Sequence, residues 1–132
     1  MPHVSVDEAL NLASLDLQEI EQELGPGPWR KPLVASDTVR VVLLRVMPGE
    51  EPHAPHRHPG ADEVLIVIGG GGAFSIGEDP EVRAGPSSIL YVPRGVLHGI
   101  QVPGPEPLVW LSIVAPNQDA PDEAVEAVGG MS

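Results

Sequence analysis

The sequence predicts an all-β domain preceded by one helical segment, and three observations carry that prediction. After residue 32 the chain breaks into short β-branched runs separated by Pro and Gly. Before it, Val6, Leu10, Ala13, Leu17, Ile20 and Leu24 recur at three- and four-residue steps, the spacing of one helix face. Between the β runs, His56-Arg57-His58 is followed by Glu63, with His98 downstream. Two histidines at spacing two point to the same side of a strand, and imidazole with carboxylate is a donor set that first-row transition metals accept.

At the N-terminus, Ser5 followed by Glu8 resembles a capping box, so residues 6–24 read as one amphipathic helix. Asp16 after Ser14 offers a second start that would split it in two, and Gly25-Pro26-Gly27-Pro28 ends it either way. Residues 1–35 are thus expected to pack on the β domain or on a neighbouring subunit. The β domain itself spans 36–115, with strands at Val39–Met47, Glu63–Ile68, Ala73–Ile76, Ile89–Val92, His98–Val102 and Leu108–Ala115. Gly69 to Gly72 is a turn: no Lys-Ser or Lys-Thr follows, as a phosphate loop requires. Pro103-Gly104-Pro105-Glu106-Pro107 reads as an extended loop, and 116–132 as a loosely held tail, acidic and turn-rich at its start.

Composition bounds the function. A chain of 132 residues is one domain with room for one hydrophobic core. A formal charge of -12, with no Lys/Arg cluster, opposes binding to nucleic acid or to an anionic membrane. There is no basic start followed by an apolar signal core and no apolar run long enough to span a bilayer, so a cytoplasmic location is expected. With no cysteine, disulfides, thiolate ligands and a Cys nucleophile are excluded. No Gly-x-Ser-x-Gly elbow supports a serine hydrolase.

The run Gly49, six residues, His56-x-His58, four residues, Glu63, five residues, Gly69 resembles the first signature motif of the cupin superfamily. Pro93-Arg94-Gly95-Val96-Leu97-His98 resembles the core of the second. Two positions depart from that pattern: Ser87 stands where the second motif normally opens with glycine, and Val102 where it closes with asparagine. The resemblance covers roughly residues 37–115. It implies a small single-domain cupin, a jelly-roll β-barrel with a metal in its mouth, and a family whose activities range over dioxygenases, decarboxylases, sugar isomerases and non-catalytic binders.

His56, His58, Glu63 and His98 are therefore the expected ligands of one divalent transition ion per chain, with Fe, Mn, Ni, Zn and Cu all open. Alternation places Glu63, Leu65 and Val67 on one face of their strand, and His98, Ile100 and Val102 on one face of theirs. Leu65, Val67, Ile100 and Val102 are candidate pocket lining, a wall suited to a small hydrophobic or aromatic substrate. His53 is a partner of the ligands, an alternative ligand, or an exposed loop residue, the last being favoured. Arg45 is placed by parity either in the pocket, to bind a substrate carboxylate, or on the outer face, because both faces of its strand are apolar. Tyr91 and Trp110 are pocket or core residues. The leading reading is a metal-dependent enzyme with dioxygenase or related oxidative or decarboxylative chemistry on a small organic acid or phenol. The alternatives are a metal-dependent ligand sensor and a sugar isomerase or epimerase. Val64, Ile66 and Ile68 make the other face of the Glu63 strand apolar as well, so something must cover it; a homodimer is expected.

Overall fold

The computed structural model describes residues 8–50, 53–117 and 123–124. One helix, α1 (Leu17–Leu24), precedes ten strands: β1 (Trp29–Ala35), β2 (Arg40–Val46), β3 (His53–Arg57), β4 (Asp62–Gly69), β5 (Gly72–Ile76), β6 (Val82–Ala84), β7 (Ile89–Val92), β8 (His98–Gln101), β9 (Leu108–Ala115) and β10 (Glu123–Ala124). They form two antiparallel five-stranded sheets, β1-β2-β9-β4-β7 and β10-β3-β8-β5-β6. Inward residues of the first sheet, among them Val42, Leu65, Val92 and Trp110, pack with Phe74 and Ile100 of the second in one core.

The expected barrel is a two-sheet sandwich. The outermost strands of the two sheets do not pair with each other, so hydrogen bonding among the described residues does not close into a barrel. Two strands that the β-branched pattern missed carry proline: β1 has Pro32 and β3 has Pro55. Proline removes a ladder donor, and the register of each strand shifts around it, between Pro32 and Val34 and between His53 and His56. The sheet thus begins at residue 29, ahead of the β domain expected to start at residue 36.

The expected helix over 6–24 is shorter. Asp16 caps α1 by accepting from the backbone N–H of Gln18 (3.0 Å) and Glu19 (3.3 Å), and Gly25 at φ 81 ends it. Asn11, at φ 51, instead donates its N–H to Leu33 O (2.9 Å) and accepts from Ala35 N (2.8 Å), which draws the residues before Asp16 onto β1. The capping-box residue Ser5 lies outside the described residues. Leu15, Leu17 and Ile20 lie with Trp29 over Leu33, Leu43 and Val109 on the outer face of the first sheet. The helix therefore covers part of the second apolar face.

Toward β7 that face stays open. Tyr91, Val64, Ile113, Val41 and Val34 align across all five strands, and Ile89, Ile66, Leu111 and Leu43 align across four of them one row along, with Lys31 opposite Leu43 on β1. Away from the helix, Ile89 is 69% and Tyr91 55% exposed. Of the expected tail, Glu123 and Ala124 pair with Arg57 and His56 as an edge strand.

The Gly69–Gly72 turn is tightly built: Gly70 has φ 69, and a Cβ there would fall 1.8 Å from Pro107 O. Gly70→Ala is expected to lose about 2 kcal/mol or more, read as a lower urea midpoint with unchanged m-value. Ser87 has φ 72, the left-handed conformation that suits the glycine of the motif it departs from. Ser87→Gly is expected to gain about 0.5 kcal/mol in the same assay, the relief of that backbone exceeding the added entropy of the unfolded chain.

Candidate metal centre

The four expected ligands meet at one end of the sandwich. His56 on β3 pairs directly with His98 on β8, and His58 follows β3 with its side chain on the same side, two residues on. Glu63, near the start of β4, faces them from the first sheet. The segments are stapled together: Gly95 N–H donates to His58 O (2.9 Å), and Arg94 N–H to Asp62 Oδ1 (2.9 Å). These bonds hold the turn before His98 against the loop between His58 and Glu63.

All four side chains are buried, each no more than 4% exposed. The ring centroids of His56 and His98 stand 4.4 Å apart, those of His56 and His58 5.1 Å, and those of His58 and His98 5.3 Å. One ligand atom from each of the four residues lies within 4.8 Å of all the others. Donors about 2.0–2.2 Å from a shared ion can be at most about 4.4 Å apart, so side-chain adjustments of a few tenths of an ångström suffice to bring them onto one centre.

Hydrogen bonding fixes which atoms face that centre. His56 Nδ1–H donates to Ala54 O (2.8 Å) and His98 Nδ1–H to Val96 O (3.0 Å). Because a carbonyl only accepts, the Nδ1 atoms hold the protons and both rings present Nε2 as the donor atom toward a metal. Glu63 Oε1 stands 3.0 Å from His58 Nε2 and 2.9 Å from His98 Nε2. For His98 this sets a lone pair against a carboxylate oxygen, an arrangement that requires either an extra proton or a cation. The donor set and its tautomers fit a divalent transition ion on His56, His58, His98 and Glu63.

Burial pushes the Glu63 carboxyl up, but the hydrogen bonds and charge of His58 and His98 outweigh it and hold the group well below the usual carboxylate range. Its second oxygen is also engaged: Ser112 Oγ–H donates to Glu63 Oε2 at 2.6 Å. Ser112 comes from β9, where it interrupts the inward row Leu108, Trp110, Val114. Sequence reading passed over it, although a lone hydroxyl on an apolar inward row was the available signal.

The other candidates take separate places. Leu65, Val67, Ile100 and Val102 lie in the core with Phe74 and Trp110, each 1–2% exposed. Arg45 turns outward and donates from Nε to Pro26 O (3.0 Å), so it does not enter the pocket. The parity of β2 instead turns Arg40, Val42 and Leu44 inward, which the two equally apolar faces had concealed. Tyr91 belongs to the exposed outer row, and Trp110 is fully buried in the core. The backbone of His53 sits opposite Ile100 at the start of β3; its side chain lies outside the described structure.

A family profile for the cupin domain matches residues 42–114, more than half of the chain and all four ligand positions. The chain belongs to the cupin family. No curated protein matches this cupin in sequence. Among solved structures it is similar to a conserved double-stranded β-helix protein from Klebsiella pneumoniae, with 26% identity over 86% of this chain and 92% of that one and a TM-score of 0.72. It is also similar in fold to a predicted oxalate decarboxylase from Thermotoga maritima, with 19% identity, 65% and 77% covered and a TM-score of 0.60. DMSP lyase DddQ from Ruegeria pomeroyi shares 16% identity, with 96% of this cupin and 61% of the lyase covered and a TM-score of 0.68.

Two expectations follow. Ser112→Ala is expected to weaken metal binding about 10–100-fold in competition with a chromophoric chelator, while far-UV circular dichroism stays unchanged, because Glu63 loses the bond that orients it. Lowering the pH is expected to release metal through the histidine range, about 6.5 displaced downward by competition from the ion. Glu63 stays ionised across that range. In metal-free protein its depressed folded-state value stabilises above the ordinary carboxylate pKa, and the contribution is lost as pH falls toward the folded value. Metal release and acid unfolding are thus expected as two separate steps in a pH titration followed by metal content and by circular dichroism.

Proposed function

We propose that this cupin is a metal-dependent enzyme acting on a small organic acid or phenol by oxidative or decarboxylative chemistry. The observation that carries the reading is the buried Glu63 oxygen set between two imidazole nitrogens, beside a third imidazole whose Nδ1 proton is already committed to a carbonyl. Such a centre, when loaded, supplies Lewis-acid polarisation of a substrate oxygen and, with a redox-active ion, electron transfer. The residues of the chain do the rest: His56 and His98 are locked in one tautomer, Ser112 holds Glu63 to a single free oxygen, and the apolar core beneath excludes water. The names of the Thermotoga and Ruegeria neighbours, a decarboxylase and a lyase, agree with bond-breaking chemistry on small molecules.

A second reading, a ligand-binding or sensor cupin, rests on a different observation. All four ligand side chains are sealed from solvent, which suits retention of a bound group as well as turnover. Metal analysis of protein purified without added metal, followed by oxygen uptake and product analysis with a panel of small acids and phenols, separates the two. The enzyme reading expects about one transition ion per chain and substrate-dependent turnover. His56→Ala, His58→Ala and His98→Ala are each expected to lose most of the metal, and Glu63→Gln part of it. Wild-type protein that stays metal-free after incubation with each candidate ion defeats both readings, while tight ligand binding without turnover favours the sensor.

We also propose a homodimer, with a second copy covering the aligned row of Tyr91, Val64 and Ile113 that α1 leaves open. The row carries no charge, so two strongly acidic chains can meet there without placing like charges in contact. Light scattering is expected to give twice the chain mass, and Tyr91→Glu to give the monomer; a wild-type monomer at micromolar concentration rejects the dimer.

A further inference from the structure

The outer face of the second sheet, turned away from the metal cluster, holds two opposite charges that do not meet. Arg83 on β6 pairs with Ala73 on β5, and Ala73 pairs with Gln101 on β8. Phe74, the next residue on β5, lies in the core, so alternation sets this row on the outer face. Two strand spacings separate the Arg83 and Gln101 backbones by about 10 Å, and between them the row offers only the methyl group of Ala73. The result is a hollow of about 270 Å³ lined by Arg83, Ala73 and Gln101, and by Glu50. Glu50 comes from the loop after β2, which is pinned to the end of β8 where Gly49 N–H donates to Val102 O (2.8 Å). Its carboxylate accepts from Met47 N–H through Oε1 (3.1 Å) and has no other partner among the described residues, and Arg83 makes no side-chain hydrogen bond or ion pair among them.

Either charge alone would be an ordinary solvated side chain. Here they face one unfilled hollow from its two sides, Arg83 from the β6 side and Glu50 from the β8 side, with β5 between. A simple anion placed there would meet Glu50 and a simple cation would meet Arg83, whereas a ligand carrying both charges is matched at both walls. We infer that this hollow is a binding site for a free α-amino acid, its carboxylate on the Arg83 guanidinium and its ammonium on the Glu50 oxygen that Met47 leaves unused. The paired donors of guanidinium fit a carboxylate, and ammonium donates to carboxylate oxygen. A second hollow of about 300 Å³ shares Arg83 and Pro103 with the first and is otherwise lined by glycine and alanine, which leaves room beside the bound carboxylate for the ligand's side chain. The site has no residue in common with the metal cluster, so it stands apart from the metal-dependent reading above.

The test titrates L-alanine, L-serine and L-glutamine into nitrogen-15-labelled full-length protein, followed by two-dimensional NMR, with propionate and propylamine as analogues that keep one charge each. Both charged walls are solvent-exposed, so saturation is expected in the millimolar range for at least one amino acid. The shifting signals are expected to include the Gln101 side-chain amide and Arg83 Nε, and both analogues to bind at least about 5-fold more weakly. Arg83→Gln and Glu50→Gln are each expected to weaken amino-acid binding about 5-fold or more; the second keeps an oxygen for Met47 N–H and removes only the charge. Protein stripped of metal by a chelator is expected to bind as tightly as metal-loaded protein. No saturable shift with any of the three amino acids overturns the inference, as does propionate or propylamine binding as tightly as the amino acid. Binding that both variants leave intact, or that is lost with the metal, also overturns it and places the ligand at the metal cluster instead.

Discussion

The structure turns on one oxygen atom. Glu63 Oε1 lies within hydrogen-bond distance of two imidazole nitrogens in a site closed to water, and one of those imidazoles has already committed its other nitrogen's proton to a carbonyl. Neutral imidazole and carboxylate cannot satisfy one another in that arrangement; a positive charge has to be shared among them. Much of the surrounding architecture serves to keep these groups in place. The β3–β8 pairing sets His56 beside His98, the Gly95 and Arg94 amides tie the second motif to the first, and Ser112 holds the far side of the carboxylate.

The sandwich supplies what such a centre needs mechanically. Three ligands come from the second sheet and its β3 end, the fourth from the first sheet, so the packing between the sheets fixes the donor distances. Beneath the cluster the core is dense and apolar, with Trp110, Phe74 and Leu65 almost fully buried. A dry floor lowers the local dielectric and strengthens each charge interaction above it.

What the sequence made legible follows from how local each signal is. The paired motifs named the four ligands because ligand spacing within a strand and its adjoining turn is a short-range property, and the β-branched runs marked β2, β4, β5, β7, β8 and β9 for the same reason. Strands β1 and β3 escaped notice because Pro32 and Pro55 break the pattern; β1 accommodates its proline at the sheet edge and β3 at a register shift against β8. The helix was overextended because Asn11 spends its backbone and side chain on β1, a contact made across 24 residues that helical spacing cannot foresee. Whether Arg45 enters the pocket or turns outward required knowing which apolar face of β2 meets the other sheet. Ser112 required knowing that β9 lies next to β4, which no local pattern encodes.

X-ray absorption spectroscopy of the metal-loaded protein at neutral pH tests the central claim most directly, because it counts the donors and resolves how the carboxylate binds. The account predicts three imidazoles and one oxygen from Glu63, with the Glu63 oxygen lost from the shell in Glu63→Gln and all three imidazoles retained. A shell with fewer than three imidazoles, or with Glu63 bound through both oxygens, would contradict it, since Ser112 would then not be holding the second oxygen away from the ion.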